Sequence, residues 1–99
     1  MSWEVRLTDE AWADMKFLRR RKKKIHAAAE GELKDLETNP LDGKALIGDL
    51  DGLMSRHFWN DEYRIVWEVV SGSAKVLVHG VGRKKSGVYA WIRDRLRGL

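Results

Sequence analysis

A single proline divides this chain into two stretches of different periodicity. Pro40 pushes Asn39 out of helical geometry, so no helix runs through this point. Before it, Ala11, Met15 and Leu18 recur at helical spacing with Trp12 beside them, and Ile25, Ala29, Leu33 and Leu36 form a second stripe. Such stripes belong to helices that each bury one face. Thr8 is a predicted N-cap, with Asp9 and Glu10 placing negative charge in the first turn. The basic run Arg19 to Lys24 joins the stripes without glycine or proline, which leaves a helical hairpin and one long bent helix both open. The hairpin is preferred, because a helix of about 30 residues could not bury both stripes in so small a domain. Ahead of the helices, Trp3 to Leu7 alternates apolar and polar as a half-buried strand does.

After Pro40 the period changes to two. Leu41 to Lys44 reads as a turn, and Gly48 and Gly52 punctuate an irregular stretch carrying Leu46, Leu50 and Leu53. Three strands follow, Met54 to Trp59, Tyr63 to Val70 and Lys75 to Val81, with turns at Asn60 to Glu62 and Ser71 to Ser73. Gly87 to Leu99 then spaces Val88, Ile92 and Leu96 as a helix would, with Arg93, Arg95 and Arg97 toward its negative end. The expectation is one α+β domain over residues 1–99, ordered strand-helix-helix-strand-strand-strand-helix. Its sheet would be small and mostly antiparallel, of about four strands, with the helices segregated to one side: an N-terminal helical hairpin on one face, plus a C-terminal helix.

Composition narrows the chemistry. With 99 residues there is room for one core. Cysteine is absent, which removes disulfides, thiolate metal sites and thiol nucleophiles. His26, His57 and His79 are scattered without metal-ligand spacing, so no metal or other cofactor is expected. The opening residues lack the apolar core of a signal peptide, and no run approaches the roughly 18 apolar residues of a membrane span. A cytoplasmic protein without a membrane partner is expected. The net charge of +4 is concentrated at Arg19 to Lys24, at Arg83 to Lys85 and at the C-terminus. Clustered cations suit a polyanion such as nucleic acid, although any one cluster could simply solvate a surface.

Several residues could carry chemistry. In Tyr63 to Val70, alternation places Tyr63, Ile65, Trp67 and Val69 on an apolar face and Arg64 and Glu68 on the other. Arg64 then lines a cleft or pairs with Glu68 on an open sheet. Gly82-Arg83-Lys84-Lys85-Ser86-Gly87 is a basic loop suited to phosphate, without the spacing of a nucleoside triphosphate loop. Tyr89 follows at once. A free tyrosine titrates near pH 10, so it serves as a base near neutrality only where cations favour the phenolate. Trp12, Trp59, Trp67 and Trp91 could stack on bases or fill the core, with Trp59 the best candidate for exposure.

Taken in order, Leu50 to Arg56 (LDGLMSR), Glu62 to Val69 (EYRIVWEV), Val81 to Lys85 (VGRKK) and Val88-Tyr89 resemble the RelE/ParE family of toxins. The opening TDEAWADMKFL and the NPLDGKAL turn extend the likeness over nearly the whole chain. The resemblance implies a metal-independent endoribonuclease that cuts mRNA on the ribosome and is held inactive by a cognate antitoxin. Carried over, Arg64 matches the strand arginine that stabilises the phosphate, Arg83 or Lys84 the second arginine, and Tyr89 the tyrosine proposed as general base. The pattern departs on the preceding strand, where two lysines of RelE correspond to Ser55 and His57 with Arg56 between them. YoeB-like members use a glutamate and a histidine, and this chain lacks the loop bearing that glutamate.

The expected catalytic set is therefore Arg64, Arg83, Tyr89, Lys84 and His57, with His57 or Lys84 as the acid for the leaving oxygen. Arg56, Lys44, Lys85, Arg19, Arg20, Arg21, Lys22, Lys23 and Lys24 are the expected RNA contacts. The alternative implied by the same family is a ParE-like poison of DNA gyrase with no catalytic residues of its own. A plain RNA-binding module is a third reading.

Overall fold

The computed structural model describes residues 2–70 and 72–97. Ser71 of the expected turn and the last two residues of the expected C-terminal helix lie outside them. The elements run β1 (Glu4–Leu7), α1 (Asp9–Arg21), α2 (Lys23–Asp35), β2 (Lys44–Ala45), β3 (Met54–Phe58), β4 (Tyr63–Val70), β5 (Lys75–Arg83) and α3 (Val88–Arg97). Two 3-10 turns, Gly48–Leu50 and Lys84–Ser86, complete the path. No described helix is long and apolar enough to cross a membrane.

The hairpin forms, and the basic run is its elbow. Lys22 leaves helical geometry at φ −141°, ψ 67°. Its N–H still donates to the Leu18 carbonyl (2.7 Å), and its own carbonyl accepts from His26 (2.8 Å). One residue thus ends α1 and starts α2. Six consecutive cations explain the break, since an unbroken helix would stack like charges on adjacent turns. At the other end Thr8 caps α1, its hydroxyl accepting from the Ala11 N–H at 3.0 Å. Ala11, Met15, Leu18, Ile25, Ala29 and Leu36 are buried, but Trp12 is 61% exposed and lies off the stripe to which the spacing had joined it.

The sheet has five strands in the order β1-β5-β4-β3-β2, not four. The extra one is β2, two residues at the end of the expected turn, pairing Lys44 with Ser55 and Ala45 with Met54. β1 joins β5 in parallel, and every other pairing is antiparallel. Both faces are covered. The hairpin packs on Tyr63, Ile65, Trp67, Val76, Val78 and Val81. α3 packs on the opposite face, where Val88 and Ile92 meet Val66 and Leu53. The helices are therefore not segregated to one side, because β4 carries apolar residues at both parities along its middle.

Two glycines seat α3. A Cβ on Gly80 would stand 2.9 Å from Ile92, and one on Gly82 would stand 2.6 Å from the Trp91 ring. Lacking side chains, these positions let the helix lie directly on β5. The far end of α3 is fastened around the sheet edge. β1 pairs only with Lys75 to Val78, which leaves the rest of β5 without a neighbour on that side. There the Asp14 carboxylate accepts from the Val81 N–H (3.0 Å) and bridges both terminal nitrogens of Arg95 (2.9 and 2.8 Å). Arg95 also donates to the His79 carbonyl at 3.1 Å. A helix from each face thereby closes an edge that would otherwise expose unpaired backbone groups. The Asp14 hydrogen bond raises the pKa of Arg95 above the ordinary guanidinium value.

Candidate functional site

A cleft of about 650 Å³ opens on the α3 side of the sheet, and Lys44, Ser55, His57, Arg64, Lys84 and Tyr89 line it. Register explains the convergence. His57 is opposite Arg64 across the β3–β4 ladder, and Arg64 is opposite Gly82 across β4–β5. Both side chains point to the α3 side because strand residues alternate faces. Lys84 arrives from the 3-10 turn after β5, where its N–H donates to the Glu62 carbonyl at 2.9 Å. Gly87, at φ 87°, reverses the chain, and Tyr89 enters from the first turn of α3.

Tyr89 is half-buried, and its phenol oxygen lies 2.8 Å from the hydroxyl of buried Ser55. Arg64 is only 8% exposed. It does not pair with Glu68, which instead meets His79 at 2.8 Å. Its Nη1 donates to the carbonyls of Asp61 (2.8 Å) and Tyr63 (3.2 Å), and its Nη2 lies 3.2 Å from the Asp61 carboxylate. The same carboxylate lies 3.5 Å from Nδ1 of His57. The turn supplying Asp61 is unusual. Trp59, Asn60 and Asp61 are all left-handed (φ 54°, 55° and 64°), closed by a bond from the Glu62 N–H to the Trp59 carbonyl. Asn and Asp tolerate this conformation, whereas a tryptophan there costs about 1–2 kcal/mol.

Several expected site residues lie elsewhere. Arg83 stands opposite Tyr63, so it faces the hairpin side, lines a groove with Phe17 and Trp91, and pairs with Glu62 at 3.6 Å. Of the two residues offered for the second cation, only Lys84 reaches the cleft, because β5 runs on to Arg83 rather than ending at Val81. Arg56 borders the cleft, but its guanidinium turns to the hairpin. There Glu32 (3.0 Å), Asp35 (2.9 Å) and Asp42 (3.6 Å) surround it, and it lies over Trp67 at 5.3 Å. With three carboxylates around it, it has little charge to offer a phosphate. Lys85 is exposed in the 3-10 turn outside the cleft lining. Arg19, Arg20, Arg21, Lys22, Lys23 and Lys24 are exposed at the elbow, also outside it. Among the tryptophans only Trp67 is fully buried. Trp59 is 38% exposed, and Trp12 exceeds it.

Sequence reasoning gave no role to Ser55 and weighed Asp61 only as a carboxylate pair with Glu68, which meets His79 instead. Asp61 was within reach of it, since an acid three residues before an arginine, across a turn into the strand, can strap that arginine.

No protein-family model and no curated protein matches the chain. Solved structures do. A chain of the toxin–antitoxin complex RelBE2 from Mycobacterium tuberculosis superposes with a TM-score of 0.72 at 26% identity, covering 84% of this chain and 99% of that one. The YoeB/ParE toxin from Agrobacterium tumefaciens gives 0.70 at 21% identity, covering 81% and 96%. The E. coli toxin RelE in the free state gives 0.70 at 20% identity, covering 96% and 98%. Nearly the full length of each is matched, so the likeness is to the whole fold. By architecture, the chain shares the fold of RelE- and YoeB-type toxins.

Proposed function

We propose that this protein is the toxin of a type II toxin–antitoxin pair and that it cleaves mRNA on the ribosome without a metal. One observation carries the reading: Arg64, Tyr89, Lys84 and His57 share a single solvent-reachable cleft. Tyr89 takes the proton of an RNA 2′-hydroxyl, whose oxygen attacks the adjacent phosphorus. The Ser55 hydroxyl, at 2.8 Å, is placed to donate to the phenolate that this requires. Arg64 and Lys84 stabilise the charge that builds on the phosphate oxygens, the kind of contribution that dominates catalysis of this sort. The bond to the 5′-oxygen breaks as His57 or Lys84 protonates it, leaving a 2′,3′-cyclic phosphate and a 5′-hydroxyl.

Around the cleft, Lys44 contacts the RNA backbone. Lys85 and the elbow cations Arg19 to Lys24 dock ribosomal phosphates without reading sequence. Neither Arg83 nor Arg56 has a part in this scheme, given where their guanidinium groups lie. The partners are a cognate antitoxin and the ribosome with its mRNA, and the compartment is the cytoplasm. The RelBE2 likeness, to a chain from a toxin–antitoxin complex, supports the antitoxin assignment.

Induced expression followed by primer extension on mRNA tests the reading. New 3′ ends within codons are expected, and Arg64→Ala and Tyr89→Phe should each abolish both cleavage and growth arrest while leaving the fold intact. General-base loss alone is worth about 10²–10⁴ in rate. Growth arrest with intact mRNA and a DNA-damage response would point to a gyrase poison instead. Full toxicity in both variants refutes the mechanism.

A further inference from the structure

Resting on the reading of the cleft as a nuclease site, we infer that Asp61 is a positioning residue that aims Arg64 at the substrate phosphate. A guanidinium has five N–H donors. The carbonyls of Asp61 and Tyr63 take both protons of Nη1, and the Asp61 carboxylate lies against Nη2. That leaves Nε–H and one Nη2–H without a protein acceptor among the described residues, two donors for one phosphate. Asp61 is not among the residues lining the cleft, although it touches two that are, Arg64 and His57. It therefore touches both residues and leaves two Arg64 donors unoccupied.

The local backbone suits this work. The left-handed run Trp59-Asn60-Asp61 fixes the Asp61 carbonyl, and with it one end of the Arg64 fork. The carboxylate adds a second point of attachment. Two points define the plane of the guanidinium, whereas the carbonyl bonds alone would let it pivot about Nη1. With Arg64 only 8% exposed, the remaining freedom is mainly this rotation. Asp61 itself stays out of contact with the reacting atoms.

Asp61→Asn is the discriminating variant. Asparagine accepts left-handed geometry as readily, so the turn and its carbonyl bond persist while the charged strap is lost. On ribosomes carrying mRNA, the single-turnover cleavage rate should fall about tenfold. The half-saturating protein concentration should stay the same or drop, because a carboxylate near an anionic substrate has been removed. Partial unfolding would instead raise that concentration. The ¹⁵N-edited NMR signal of Arg64 Nε–H should be sharp in the parent protein and broadened in the variant. A full cleavage rate, or a lost rate with an unaltered Arg64 signal, overturns the inference. If the parent protein cuts no mRNA, the nuclease reading fails by itself, and the NMR signal still decides whether Asp61 orders Arg64.

Discussion

Removing the Asp14 carboxylate should cost more stability than any other single surface change in this molecule. Asp14 is 11% exposed and makes three bonds at once, two to the Arg95 guanidinium and one to the Val81 N–H. In Asp14→Ala the backbone donor of Val81 loses its partner on the open edge of β5. Arg95, 23% exposed, keeps only the His79 carbonyl. Stranding a fully buried charge costs about 3–5 kcal/mol, and partial exposure here reduces that to roughly 2–3 kcal/mol. The unpaired N–H adds about 1 kcal/mol. The total, about 3–4 kcal/mol, is a large share of the 5–15 kcal/mol available to an ordinary domain. It should lower the melting temperature by about 12 °C or more. Urea unfolding of Asp14→Ala, Arg95→Met and the double variant measures it, and the double variant should lose far less than the sum of the singles. Additive losses, or a fall below 1 kcal/mol for Asp14→Ala, would refute the idea that this pair closes the sheet edge. Sign matters for pH. Asp14 raises the Arg95 pKa, so the stabilisation from that group is complete below the unfolded guanidinium value and fades only as pH climbs through the higher folded one. Across neutral and mildly alkaline pH the contribution of Arg95 should be flat.

Gly82→Ala should displace the start of α3, because its new Cβ would meet the Trp91 ring at 2.6 Å and Val88 at 3.0 Å. A loss of about 1–3 kcal/mol with cleavage reduced out of proportion is the outcome that unfolding curves and a cleavage assay should give. Ser55→Ala removes the hydroxyl at 2.8 Å from the Tyr89 phenol. It should cost about 1 kcal/mol and slow cleavage, and an unchanged rate would remove Ser55 from the mechanism. Arg56→Leu should destabilise the fold by roughly 2 kcal/mol by leaving Glu32 and Asp35 without their cation. The salt dependence of RNA binding, read by titration at several ionic strengths, should not move.

The general shape of this protein could be read from its sequence because periodicity is a local property. The alternation in Tyr63 to Val70 and the stripes before Pro40 each lie within one element and predict what that element buries. What escaped reading depended on where a strand stops. Val81 was the expected end of β5, and extending it to Arg83 sends that guanidinium to the hairpin side while Lys84 takes its place in the cleft. Alternation keeps Arg83, two residues on, on the same face as buried Val81. Arg56 was misplaced for a different reason. It shares a face with Ile65, as the ladder shows, but its role depends on Glu32, Asp35 and Asp42 arriving from far along the chain. The Asp14–Arg95 pair, 81 residues apart, had no local signal. The helix seat on Gly80 and Gly82 left a trace, two glycines on one parity of a strand, and α3 brings residues four apart against it.

The cleft draws its lining side chains from two stretches of chain that leave the ribosome at different times. Arg64 and His57 belong to a hairpin of adjacent strands that can pair as soon as it emerges. Lys84 and Tyr89 come later, and the helix that holds Tyr89 is seated by Val88 and Ile92 and fastened to α1 by Arg95. A nascent chain therefore carries an unfinished cleft until α3 has folded onto the β3–β4 hairpin.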